Sequence, residues 1–172
     1  ARGRDSASLH ATIAARGRVL LVQSCRQESL DRLAVHRRNL EDCRALVALA
    51  PNNRTYEMLL AKTAFDAGQE ARARGQTEEA ERLVSEGVNV LRELVARGDA
   101  SLDAQCRLAQ SLYFRAQLLY EAGRTGEASA VARESFALAS RTVEAQPHHP
   151  AYSETLAMVR GLLALIEDSE AR

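Results

Sequence analysis

Two adjacent histidines between prolines, Pro147-His148-His149-Pro150, and three cysteines, Cys25, Cys43 and Cys106, are the side chains in this sequence best suited by type to chemistry. Metal binding needs several donors converging on one point. Neighbouring histidines point apart, and no Cys, Asp or Glu completes a ligand set at the usual spacing. The cysteines are odd in number and each sits inside a helical pattern. Cys25 and Cys43 fall on antiparallel neighbouring helices joined near Gln27, one by the turn and the other about 20 Å along, at about 1.5 Å per residue. A disulfide needs Cα atoms within about 7 Å, so free thiols in a reducing cytosol are expected. No Ser/His/Asp or Cys/His set, phosphate loop or carboxylate pair stands at motif spacing. The chain reads as no enzyme, with no cofactor and no metal.

The 23 basic and 23 acidic residues cancel, which argues against a general nucleic-acid or anionic-membrane surface. Arg2, Arg4, Arg16, Arg18 and Arg26 face only Asp5 near the start, but no aromatics interleave them, so nucleic acid is not an expected partner. The apolar run from Val19 to Val22 is too short to span a bilayer, and no signal peptide is visible. A cytoplasmic location follows as the expectation. Lys62 is the one lysine, a bias of GC-rich, bacterial coding. With no initiating Met and a helix cap near its start, the chain reads as a piece of a longer protein.

The elements that would position any site come from an internal repeat. Gly75-Gln76-Thr77-Glu78-Glu79-Ala80 returns 48 residues later as Gly123-Arg124-Thr125-Gly126-Glu127-Ala128. The same offset aligns Asp5, Asn53, Ser101 and His149. The first three are preferred helix N-caps and the fourth precedes Pro150, which suits a first helical position. Pro51, Asp99 and Pro147 also align, as do Leu60, Leu108 and Leu156, and Ala61, Ala109 and Ala157, with Ile13 at the last position in the first copy. The copies run about 5–52, 53–100 and 101–148, with a capping helix at 149–168, in one domain.

Ala, Leu, Arg and Glu dominate, so the fold class is all-α. Seven helices are predicted, at about 6–25, 29–49, 54–73, 77–97, 102–122, 125–145 and 150–168. The fourth carries an apolar stripe of Ala80, Leu83, Val84, Gly87, Val88, Leu91, Leu94 and Val95. The sixth carries Ala128, Val131, Ala132, Ser135, Phe136, Ala139, Thr142 and Val143. Their opposite faces, with Glu81, Arg82, Glu86, Arg92 and Glu93, and with Arg133, Glu134 and Arg141, read as solvated. His36 aligns with Val84 and Ala132, and Cys106 with Met58, as packing residues. Copy 1 is degenerate, with Arg32 and Gln27 where later copies have Ala and Gly. The last helix has an outer face made polar by Glu154, Arg160, Glu167 and Asp168.

The small residues Gly68 and Ala116, the turn glycines Gly75 and Gly123, Ala80 and Ala128, and the closing Pro51 and Pro147 together resemble the tetratricopeptide repeat. That repeat is about 34 residues long; here each helix is two turns longer, which returns the apolar stripe to nearly the same face. The resemblance covers about residues 5–168 and implies a right-handed α-solenoid of helix hairpins. Long-period copies of this sort are loosely similar to those following some bacterial Ser/Thr kinase domains.

The resemblance further implies a partner-binding stripe on the A helices, the first of each hairpin. In register it is Lys62, Phe65, Gln69 and Arg72, then Gln110, Tyr113, Gln117 and Tyr120. Neighbouring helices would add Ala14, Gly17, Leu21 and Ser24, and Met158, Gly161, Leu165 and Asp168. Such a stripe could hold a peptide or protein partner through aromatic anchors and amides, although Phe65 and Tyr113 could equally be wedges between helices. The alternative function is a regulatory or self-associating segment of a multidomain signalling protein such as a kinase, a possible homo-oligomer with no separate ligand.

Overall fold

The computed structural model describes residues 31–98 and 101–170, with Ser8, Ala11 and Thr12. Every regular element among them is an α-helix: α1 (Arg32–Leu49), α2 (Arg54–Ala73), α3 (Thr77–Ala96), α4 (Leu102–Glu121), α5 (Thr125–Ala145) and α6 (Pro150–Glu170). The count is six rather than the seven expected. The helix expected at 6–25 lies outside the described residues apart from Ser8, Ala11 and Thr12; so do Asp5, Cys25 and Asp99.

The helix ends follow from local chemistry. Asn53 Oδ1 accepts from the backbone N–H groups of Thr55 and Tyr56 at 3.0 and 3.3 Å. Ser101 Oγ accepts from Ala104 N at 3.3 Å, and the His149 carbonyl accepts from Tyr152 and Ser153. Asp31 caps α1 in the same way, accepting from Ala34 N. The Asn53, Ser101 and Asp31 side chains each satisfy a donor that the first turn leaves without an intrahelical partner, whereas the His149 carbonyl accepts the first helical bond of α6. Gly75 and Gly123 have φ of 73° and 74°. Around them Gln76 N bonds to Ala71 O and Gly75 N to Arg72 O, and the same pair of bonds recurs as Arg124 N to Leu119 O and Gly123 N to Tyr120 O. This double bond needs a left-handed residue, which glycine adopts without a Cβ penalty.

Each helix packs on its sequence neighbour, and α4 also on α6. The expected stripes of α3 and α5 face inward: Leu83, Val84, Val88 and Leu91, and Ala128, Ala132 and Ala139, are fully buried. Each buried leucine contributes about 2 kcal/mol through removal of its side chain from water. At the α2–α3 crossing, a Cβ on Gly87 would lie 3.0 Å from the Ala61 carbonyl oxygen. At the equivalent α4–α5 crossing, Ser135 stands in place of Gly87, and its Oγ donates to the Ala109 carbonyl at 2.7 Å.

On the expected solvated faces of α3 and α5, Arg82, Glu93, Arg133 and Arg141 are exposed, whereas Glu81, Glu86, Arg92 and Glu134 are half-buried in ion pairs. Arg44 pairs with Glu86, Nη2 to Oε2, at 2.6 Å, and Arg92 with Glu134 at 2.5 Å. The second pair is the first moved by one 48-residue period. Arg37–Glu79 at 2.6 Å and Arg124–Glu81 at 2.8 Å extend the ladder. These contacts tie α1 to α3 and α3 to α5, and they half-bury Glu79, Glu81, Glu86 and Glu134. Facing side chains of two helices, rather than the periodicity of one, determine them.

Candidate partner-binding face

The expected stripe residues lie on α2 and α4, and all eight retain solvent access. Lys62 is exposed and pairs with Asp66 one turn on, at 2.5 Å. Gln69 is exposed. Phe65 is half-buried, its ring edge-on to Phe114 of α4 at 5.4 Å and 60°. Arg72 pairs with Glu121 and stands over the same Phe114 ring, 5.4 Å from its centroid. Stacked on an aromatic and held by a carboxylate, the guanidinium is fixed in direction.

On α4, Gln110 Nε2 donates to Thr155 Oγ1 of α6 at 3.1 Å. Gln117 Nε2 donates to the Tyr113 hydroxyl at 2.8 Å, one turn apart on the same helix. Tyr113 and Tyr120 are half-buried against the cluster that includes Ala116, Leu119, Leu162 and Ile166. Phe65 and Tyr113 therefore do pack against neighbouring helices, while their remaining surface faces outward with Lys62 and Gln69.

Contact across α2, α4 and α6 runs through residues the repeat register does not single out. Phe114 is buried and is met from α2 by both Phe65 and Arg72. Glu121 takes the guanidinium, and Thr155 takes the amide. An aromatic one position beyond the stripe on α4 was the visible signal for Phe114; nothing in the sequence pairs Arg72 with Glu121.

On α6 the register positions carry Met158, Gly161, Leu165 and Asp168, all exposed. The exposed large hydrophobics among the described residues are Leu49, Met158 and Leu165, at 59%, 37% and 52%. Met158 corresponds to Lys62 and Gln110, and Leu165 to Gln69 and Gln117. The flanking positions Ala14, Gly17, Leu21 and Ser24 lie outside the described residues.

The histidine–proline motif forms the link between α5 and α6. His148 is exposed, and His149 stacks on Tyr152 with centroids 3.9 Å apart. Among the described residues no three His, Cys, Asp or Glu side chains gather as metal ligands. Cys43 and Cys106 are buried free thiols, 3.5 and 3.6 Å from the hydroxyls of Thr63 and Thr155. Burial pushes both thiols above their ordinary pKa, the reverse of an activated nucleophile. No described helix is long and apolar enough to cross a membrane.

Comparison with protein-family models, with curated proteins and with solved structures finds no match for this chain.

Proposed function

We propose that the chain is a protein–protein interaction module, a right-handed α-solenoid of tetratricopeptide-like hairpins that binds a peptide or protein through the face shared by α2, α4 and α6. The observation that carries this reading is the register of the exposed hydrophobics. Two of three, Met158 and Leu165, fall on the stripe that α2 and α4 fill with Lys62, Gln69, Gln110 and Gln117. Exposed apolar side chains beside half-buried tyrosines and amides are the composition of a binding surface: area from the rings and aliphatics, direction from the polar groups.

The test uses the third exposed hydrophobic as its control. Met158→Glu/Leu165→Glu should lose proteins that the wild-type chain retains from a lysate, whereas Leu49→Glu should keep them. All three sites are exposed, so helicity should persist. Identical retained sets in both variants would take the partner off this stripe, and none from the wild type together with a dimer by light scattering would replace this reading with self-association.

A further inference from the structure

A cleft of about 350 Å³ opens between the first turns of α2, α4 and α6, away from most of the stripe. It is bounded by Arg54 of α2, by Asp103, Arg107 and Gln110 of α4, and by His149 and Tyr152 at the start of α6. Its volume is in the range that holds small-molecule ligands.

The polar groups around it are unevenly matched. Asp103 Oδ1 already accepts from the Tyr152 hydroxyl at 3.0 Å. Arg54 Nη2 is oriented by Ser101 Oγ at 2.7 Å. Arg107 is half-buried, yet unlike Arg72 and Arg92 it makes no hydrogen bond or ion pair among the described residues. His149 Nδ1 is buried without a hydrogen-bond partner. Half-buried cations and buried ring nitrogens are ordinarily matched, because desolvation without a partner is costly. Three helix N-termini also converge here, and their dipoles favour negative charge.

The register points the same way. Arg107 stands where the other copies have Ala11, Leu59 and Thr155, so packing demands no arginine at this position. Met58, Ala151 and the stacked His149 and Tyr152 rings supply an apolar wall beside the cations.

We propose that this cleft binds a small oxyanion ligand, a carboxylate or phosphate ester of metabolite size, with Arg107 on the charged group and the His149–Tyr152 stack against its body. The site shares Gln110 with the candidate partner face but none of its exposed hydrophobics, and its test does not depend on that face. Arg107's planar fork suits carboxylate and phosphate oxygens taken two at a time.

The experiment is thermal unfolding and titration calorimetry with inorganic phosphate, succinate and glucose 6-phosphate, against sodium chloride at matched ionic strength. The three probes separate free phosphate, carboxylate and phosphate ester. At least one should raise Tm saturably. Arg107→Gln should weaken that probe by roughly 10- to 100-fold, the loss of a charge-assisted pair of hydrogen bonds. Arg141→Gln, on the exposed face of α5, should leave it unchanged. Arg107→Lys substitutes for the glutamine variant if the latter does not fold, with a loss of about 10-fold as the fork goes and the charge stays. No probe-specific shift in the wild type, or equal affinity in the wild type and the Arg107 variant, overturns the proposal.

Discussion

Gly68→Ala is a gain in helix propensity that should nevertheless destabilise the protein. The added Cβ would sit 2.5 Å from Val84 Cγ2 and 3.3 Å from the Ala80 carbonyl oxygen, across the α2–α3 contact. Val84 is fully buried and cannot turn away freely. Overpacking of this kind costs about 1–3 kcal/mol, against about 1 kcal/mol recovered from replacing a mid-helix glycine. The net expectation is a loss of about 1 kcal/mol. Val84→Ala alone removes two buried methyl groups and leaves a void, a loss of about 2 kcal/mol.

The double variant Gly68→Ala/Val84→Ala is the informative one, because the next copy already contains it. Ala116 and Ala132 occupy the equivalent positions in α4 and α5, both fully buried. One crossing is filled by nothing plus valine, the other by two methyl groups. In the double variant the clash disappears and the new methyl refills most of the void. Its stability should return to within about 1 kcal/mol of wild type, a coupling of about 2 kcal/mol between neighbours. Urea unfolding followed by far-UV circular dichroism reads all four corners of the cycle, with unchanged m-values as the check on a common transition. Additive losses in the double variant would show that the two crossings are not interchangeable and would refute the reasoning.

Two further predictions concern titration and thiols. Burial holds His36 below its ordinary 6.5, outweighing the opposing pull of Asp66 and Glu70; Lys62 and Arg32 push it the same way as burial. The folded state then binds fewer protons than the unfolded one. Stability should fall as pH drops from about 6.5 toward the folded pKa and level off below it. His36→Gln should flatten that segment in urea midpoints measured across pH. It should leave intact the more acidic loss from Asp31, Glu79 and Glu127, whose carboxyls hydrogen bonds hold below their usual range, from the Ala34 N–H and Arg74 for Asp31, from Arg37 for Glu79 and from Arg124 for Glu127. A slope unchanged in the variant would remove His36 from the account. In a Cys25→Ser background, Cys43 and Cys106 should resist a thiol reagent in the native protein and react fully in denaturant, being buried and held protonated. Rapid native labelling would contradict their burial.

The helix ends were legible because each is decided by a few adjacent residues. Asn53, Ser101 and His149 begin helices where the register placed them, and α2 and α5 match the expected 54–73 and 125–145. The turn glycines announced themselves by recurring. The arginine–glutamate ladder was not legible, since Arg44 and Glu86 meet only once α1 lies beside α3. Nor was the size exchange between Gly68/Val84 and Ala116/Ala132, although all four positions were visible in the alignment of copies. Of the stripe, the exposure of Lys62 and Gln69 was readable, but the Phe65–Phe114 and Arg72–Glu121 contacts depend on the distance between α2 and α4. The cleft at the first turns escaped because Arg54, Arg107 and His149 come from three copies at unrelated register positions. The one available signal was an arginine where the other copies carry Ala11, Leu59 and Thr155.

The copies differ at the positions where one helix packs on the next. Ala61, Ala64, Gly68 and Ala71 on α2 and Ala109, Leu112, Ala116 and Leu119 on α4 are buried against the following helix. The same four positions on α6 read Ala157, Arg160, Ala164 and Glu167, and all are exposed. The two alanines keep the shape that lets helices approach closely, whereas Arg160 and Glu167 replace small or apolar side chains with charge. A helix docking on α6 as α3 docks on α2 would have to desolvate both, at a cost of several kcal/mol if left unpaired. The register positions of the stripe change in the opposite sense on α6, from Lys62, Gln69, Gln110 and Gln117 to the apolar Met158 and Leu165. Polar substitution at the positions that α2 and α4 bury and apolar substitution at Met158 and Leu165 set the exposed surface of α6 apart from those of α2 and α4.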